Sequence, residues 1–461
     1  MTAFRRNSST HDATIGSLPQ HLFSLAMSSA GGQVLQALYL LVDIHYVAKL
    51  GSQSLAGVGA AGSVAMLMQA CSQVLGIGTG SLIAQAAGRK NNEELGRLVS
   101  ESLIVSIGCA LVVLLLLYPL TGFYVRLLLS DGVAIEEGQR YLFWLIPGLA
   151  VQFVFSALRS GLRGTGAFSI VLRIQLISFI QYTVTCPILA LGWITERPMG
   201  AAGAGLANSL SVFASLLAIL VYYSKLQTGI SLRPRLRSLK IQAVRRIVRI
   251  GIPSGGELIL QYVYVAVTYY LVQGFGHSVQ AGFATGVRII QVLTIPVFAV
   301  AWALAVIVGQ NFGANQIYRI RAGVRDALIS STLLSVAISI LFFLHPDWLI
   351  HWFSDDDEAR RWISEFLSIY AWGILSQGVV AVCTGVCQGI GRTTLSFWGS
   401  ATRLLTFVLP ALMILRMFDA GPSYIWWAAS LSMIPHAMVS LFIIRYAIAG
   451  CADLPQKLVA R

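Results

Sequence analysis

The sequence predicts an all-α integral membrane protein: twelve transmembrane helices in two parallel six-helix repeats, forming two lobes around a central cleft. Three observations predict it. The 461 residues are 56% hydrophobic and only 11% charged, with a mean hydropathy of +0.74, whereas soluble chains carry about 25% charged residues. Segment after segment exceeds the roughly 20 apolar residues that cross a bilayer as helix, without the short alternating runs of membrane strands. Finally, short motifs recur at one fixed spacing along the chain.

In chain order the apolar runs fall at about 22–48, 54–86, 98–127, 139–162, 168–194 and 199–225, then 250–275, 279–309, 318–344, 362–389, 394–418 and 424–449. The expected organisation is a tail over 1–20, an N-lobe over 21–226, a basic linker over 227–245, a C-lobe over 246–450 and a tail over 451–461. The stretch before Gln20 is polar and lacks the apolar core and cleavage site of a signal peptide. The first span is therefore expected to act as its own insertion signal.

Charge placement sets the expected orientation. Loops after even-numbered spans carry Arg89, Lys90 and Arg97, then Arg159 and Arg163, then the group from Arg233 to Arg249, then Arg319, Arg321 and Arg325. Opposite loops hold Glu136, Glu137, Glu196, Asp347 and the run Asp355–Glu358, with Trp144, Trp193, Trp348, Trp352, Trp426 and Trp427 near the same helix ends. Basic loops stay inside and aromatic residues band the interface. The expected location is the inner (plasma) membrane, with both termini cytoplasmic. The net charge of +13 thus reflects loops facing lipid headgroups rather than nucleic-acid binding.

The six cysteines lie in or at the ends of apolar spans and none has zinc-ligand spacing; no metal site is expected. Cys383 and Cys387 share a helical face as small packing residues do between membrane helices.

The repeat has an offset of 225 residues. Gln85-Ala-Ala-Gly88 returns as Gln310-Asn-Phe-Gly313, Gly164-Thr-Gly166 as Gly389-Ile-Gly391, and Gly51, Ala56 and Gly57 as Gly276, Ala281 and Gly282; Glu101 falls on Asp326. Six spans per repeat is even, so both halves enter the membrane from the same side and are related by an axis along its normal. Two lobes around a cleft suit alternating access, whereas a pore more often uses a selectivity filter in a symmetric oligomer. A functional monomer is expected.

Intramembrane carboxylates are costly, which makes each a functional candidate. Asp43 lies about six residues, on the order of 9 Å along a helix, inside the outer end of the first span. Gln36, Tyr39, Asp43 and Tyr46 share one helical face. Shifted by 225, the first three become Gln261, Tyr264 and Thr268, and Glu257 extends that second stripe nearer the cytoplasmic side. Loss of water favours the neutral form of a carboxyl, so Asp43 is a candidate for proton exchange; sodium held by the same oxygens is the competing version. Gln181 and Thr185 on span five and Asn208 on span six are candidate cavity-lining residues, although such side chains also join membrane helices. Arg288, well inside span eight, is placed to pair with an acid or attract an anionic group. Arg173 and Arg403 are expected to snorkel from the spans.

Four stretches carry a family resemblance: Val42-Asp43-Ile-His-Tyr-Val-Ala-Lys-Leu-Gly51, Val308-Gly-Gln-Asn-Phe-Gly-Ala-Asn315, Gly251-Ile-Pro253 and Gly203-Ala-Gly-Leu-Ala-Asn208. In order and spacing they resemble the multidrug and toxic compound extrusion (MATE) family, over nearly the whole chain. The resemblance implies an antiporter, not an enzyme, that exchanges H+ or Na+ for small amphipathic, often cationic, molecules. It matches Asp43 to the family's acid in span one. Elsewhere the chain departs from the family. Gln181 and Thr185 stand where some members have Asn and Asp, and Gln261 stands where others have Glu, with Glu257 four residues earlier. The alternative within the same superfamily is a flippase for a lipid-linked or polysaccharide precursor. No zinc-protease or phosphate-binding motif supports an enzyme, and no organic cofactor is implied.

Overall fold

The computed structural model describes residues 12–194, 198–225, 241–344, 350, 357–417 and 421–452. The helices are α1 (Leu18–Ala48), α2 (Ser52–Gly88), α3 (Asn92–Leu128), α4 (Gly132–Gly164), α5 (Phe168–Ala190), α6 (Ala201–Lys225) and α7 (Ile241–Val272). They continue with α8 (His277–Leu293), α9 (Ile295–Gly313), α10 (Ile317–Leu344), α11 (Asp357–Ile390), α12 (Thr393–Met417), α13 (Pro422–Leu431) and α14 (Met433–Ala452). Among the described residues there are twelve spans long and apolar enough to cross a membrane, with α13 and α14 together forming the last. The fold is that of an all-α, multi-pass membrane protein. Of the expected features, most of the tails and linker, with Glu196, Asp347, Trp348, Trp352 and Asp355, lie outside the described residues. Leu18 already opens α1 and residues 241–245 already belong to α7, so tail and linker end earlier than expected.

The 225-residue register is visible in the backbone. α2, α3, α4 and α5 start at residues 52, 92, 132 and 168, and their counterparts start at 277, 317, 357 and 393. The turns repeat as well. Gly51 and Gly276 have φ of 104° and 101°, and Gly166 and Gly391 both have 81°, a left-handed region open to glycine at no steric cost. Lys90 and Asn315 share a φ of 56° at the turn between.

Two spans expected to be continuous are interrupted. The run 279–309 divides into α8 and α9 at Thr294, and the last span divides at Ser432. Pro296 and Pro435 stand two and three residues beyond these breaks. Proline lacks an N–H and its ring clashes with the carbonyl four residues earlier. The equivalent α2 has Cys71 in place of Pro296 and runs unbroken from Ser52 to Gly88.

Close approach within each half uses small residues. A Cβ on Gly76 of α2 would lie 2.7 Å from Ser160 Oγ of α4. At the shifted positions the glycine changes helix: a Cβ on Gly385 of α11 would lie 2.5 Å from the carbonyl oxygen of Ala301 on α9. Such contacts let backbones meet where lipid supplies no hydrophobic drive.

The chain divides into two compact units. Of the described residues, one comprises Asp12 and those within 31–251, the other those within 13–30 and 252–452. The expected N-lobe boundary at 21 is therefore displaced, because the first part of α1 clusters with the C-terminal half. Its anchor is explicit. The Ala13 N–H donates to Gln310 Oε1 at 2.9 Å, and its carbonyl accepts from Asn311 Nδ2 at 3.1 Å and from Arg319 Nη2 at 3.0 Å. Arg319 Nη2 also reaches the Gly16 carbonyl at 3.0 Å.

Candidate ion-coupling and substrate sites

In the N-terminal unit, Asp43 faces α5. Its Oδ1 accepts a hydrogen bond from the Tyr182 hydroxyl. Tyr182 is fully buried and stacks on Tyr39, with ring centroids 4.2 Å apart. The Tyr39 hydroxyl lies 3.0 Å from Ser211 Oγ of α6, and Ser178 Oγ donates to the Ser211 carbonyl at 3.1 Å. The surrounding cluster is apolar: Val47, Tyr141, Leu145 and Cys186 are among its buried members, with Tyr39, Val42 and Tyr46 packed against it. Asp43 therefore sits where a carboxylate has little dielectric help and a neutral donor for company.

The other expected residues divide around this centre. Tyr46 packs edge-on against Trp193 at 6.2 Å, near the end of the span. Gln181 Nε2 donates to Thr185 Oγ1 at 3.0 Å, and Thr185 Oγ1 donates back to the Gln181 carbonyl at 2.9 Å. These two bond one another rather than the acid, and Gln181 Oε1 is buried without a partner. Asn208 contributes its carbonyl to Ser211 Oγ at 2.7 Å, and Gln36 is exposed. Tyr182 and Ser211 are the partners that the helical stripe on α1 did not reveal.

In the C-terminal unit, Glu257 is held by hydroxyls of two other helices. Thr384 Oγ1 of α11 donates to Oε1 at 2.8 Å, and Ser396 Oγ of α12 donates to Oε2 at 3.1 Å. Thr268, shifted from Asp43, is fully buried and spends its hydroxyl on the Tyr264 carbonyl at 2.8 Å. Gln261 and Arg288 are exposed, so the stripe Glu257–Gln261–Tyr264–Thr268 does not converge on one polar centre. Tyr264 instead packs on Phe407 of α12, with centroids 4.8 Å apart.

Arg403 corrects the expectation of snorkelling. Its Nη2 donates to the Tyr370 hydroxyl at 2.9 Å and its Cζ lies 4.0 Å over the Tyr264 ring. It points into the helix bundle of its own unit. Arg159 and Arg163, assigned to a loop by their charge, lie in the last turns of α4 against Phe155 and Phe168.

A repeated helical membrane protein with an enclosed carboxylate in each half, bonded by side chains from neighbouring helices, belongs to the class of membrane transporters. Comparison with known proteins gives the family. The MatE family model matches residues 29–188 and again 253–413, each repeat once, and the chain belongs to that family, whose members are transporters and not enzymes. It is 24% identical over 414 residues to the probable multidrug resistance protein NorM of Thermotoga maritima, covering 88% of both chains. It is 22% identical over 409 residues to the multidrug export protein MepA of Staphylococcus aureus, again covering 88% of both. Among solved structures, the outward-facing conformation of a multidrug resistance MATE family transporter matches with a TM-score of 0.86 at 21% identity, covering 96% of this chain and 99% of that one.

Proposed function

We propose that this chain is a secondary exporter that couples entry of H+ or Na+ to efflux of amphipathic cations by alternating access, with Asp43 as the coupling acid. The observation that carries this reading is the setting of Asp43. Its bonded partner is the neutral Tyr182 hydroxyl, and among the described residues no lysine or arginine forms a salt bridge with it. An enclosed carboxylate without a fixed countercharge must take its compensation from what is transported: a proton, a sodium ion or a cationic solute. Glu257, surrounded by hydroxyl oxygens, is the second candidate acid and suits either ion. The multidrug names of NorM and MepA support the choice of drugs or xenobiotic metabolites as cargo. Basic loops support an inner-membrane location with cytoplasmic termini.

The test uses the full chain in proteoliposomes, with tetraphenylphosphonium as cargo and imposed proton or sodium gradients. Gradient-driven movement is expected for the native chain and loss of it for Asp43→Asn. Undiminished coupled transport by Asp43→Asn would remove Asp43 from the mechanism. No coupled transport by the native chain, with accumulation of lipid-linked sugar on deletion, would favour the flippase.

A further inference from the structure

The two halves differ in chemistry at one set of positions that their register makes equivalent. In the first half, Ser178, Tyr39 and Ser211 form a neutral knot whose hydroxyls bond one another or a carbonyl. Shifted by 225 residues, these positions are Arg403, Tyr264 and His436. A guanidinium and an imidazole replace two serines, and the tyrosine between them is kept.

The replacement leaves donors unspent. Arg403 uses Nη2 on Tyr370 and lays its planar group on the Tyr264 ring, but its Nε is buried without a hydrogen-bond partner. His436 is 4% exposed and its Nδ1 is likewise unpartnered. The imidazole lies beside Gly399, where an added Cβ would be 3.8 Å from Nε2. Gly399 precedes Arg403 by four residues on α12, one helical turn, so both groups address the same face of that helix. Among the described residues no carboxylate forms a salt bridge with Arg403. Arg403 is the eleventh residue of α12, roughly 15 Å along the helix, near the middle of a hydrocarbon layer about 30 Å thick. That depth separates it from lipid phosphates. A cation there without a carboxylate partner is costly, and a planar guanidinium with a spare donor matches an oxyanion.

We propose that Arg403, Tyr370 and His436 form a binding site within the C-terminal unit for the carboxylate of a transported organic solute. Arg403 supplies the charge, Tyr370 and Tyr264 fix the plane of its guanidinium, and His436 donates in the tautomer that carries hydrogen on Nδ1. The substrates then include zwitterions and organic acids beside simple cations. As a statement about cargo, this rests on the export reading; as a statement about binding, it stands alone.

The experiment measures carboxyfluorescein binding by fluorescence anisotropy to the full-length protein in lipid nanodiscs, with tetraphenylphosphonium binding measured in parallel. Arg403→Gln is expected to weaken carboxyfluorescein binding by about tenfold or more, the loss of a charged hydrogen bond. Arg403→Lys should fall between, because it keeps the charge and loses the fork. Tetraphenylphosphonium affinity should stay within about twofold, since a lost anion contact does not act on a cation. Tyr370→Phe, which removes one hydroxyl, should weaken carboxyfluorescein binding by roughly threefold, and it carries the test if Arg403→Gln fails to fold. Absence of carboxyfluorescein binding by the native chain, or equal affinity in the native, Arg403 and Tyr370 variants, would overturn the proposal. Failure of the export reading has a different signature: anion binding persists while gradient-driven tetraphenylphosphonium movement is absent.

Discussion

Tyr182 donates its hydroxyl hydrogen to Asp43, and at the repeat-equivalent positions Phe407 and Thr268 the donor and the acid have disappeared together. The aromatic contact beneath them survives in both halves, Tyr39 on Tyr182 and Tyr264 on Phe407. The packing is thus shared, and the polar pair is an addition to one half. The Tyr182 oxygen therefore serves Asp43, whereas its ring serves the fold.

That division predicts the behaviour of Tyr182→Phe. The ring stack remains but one Asp43 oxygen loses its donor, so thermal stability should fall by about 1–3 kcal/mol, the cost of a stranded acceptor. Gradient-driven tetraphenylphosphonium transport should fall roughly tenfold, on the scale of a bond to a charged group. The double variant Asp43→Thr with Tyr182→Phe, which copies the second half, should be no slower than Asp43→Thr alone, because the two residues act as one unit. Initial rates in proteoliposomes and a melting curve check both parts.

Glu257 predicts a different pattern. Its two oxygens are bonded separately by Thr384 and Ser396. Thr384→Val leaves one oxygen without its donor and should cost about 1–3 kcal/mol in stability, read as a lowered melting temperature. In the background Glu257→Leu the same substitution should cost much less, since no acceptor remains to be stranded. A full cost in that background would mean that Thr384 matters through its shape alone.

The small-residue contacts make an asymmetric prediction. Gly76→Ala meets serine hydroxyls on α4, and side chains can rotate away. Gly385→Ala meets the backbone carbonyl of Ala301, which moves only with its helix. Overpacking costs typically 1–3 kcal/mol, so Gly385→Ala should lie near the upper value and Gly76→Ala near or below the lower. Thermal unfolding of the two variants side by side tests the ranking.

Arg319 is predicted to hold the segment before α1. Arg319→Ala removes the bonds to the carbonyls of Ala13 and Gly16. Limited proteolysis near residues 12–17 should then become several-fold faster, as expected for a segment that opens locally. Cleavage elsewhere should be unchanged.

Much of this architecture was legible in the chain. Apolar length marks spans, and matching glycines at Gly51 and Gly276 carry the register because a left-handed turn repeats there. Asp43 was legible because a carboxylate in lipid is conspicuous from its own helix. Its partner was not: Tyr182 lies 139 residues away, and an aromatic residue in an apolar span carries no mark of whether its hydroxyl is used. Comparing the halves position by position supplies the missing signal, since Tyr182 and Asp43 are lost together. The same comparison would have removed Arg403 from the snorkelling group, because its counterpart Ser178 lies in the interior. Neither the breaks at Thr294 and Ser432 nor the attachment of residues 13–30 to the second unit follows from local pattern. The first depends on how a helix answers a proline, the second on contacts nearly 300 residues apart.

The anchoring of Ala13 sets a timetable for biogenesis. Its partners Gln310, Asn311 and Arg319 are made long after it leaves the ribosome. At roughly 5–20 residues per second, about 15–60 s pass before Ala13 can reach its seat. Throughout that interval the nascent chain must carry its first helix with one end undocked. A chain truncated before residue 310 lacks all three of the partners that seat Ala13. The segment Ala13–Gly16 thus stays unanchored until the second half exists to hold it.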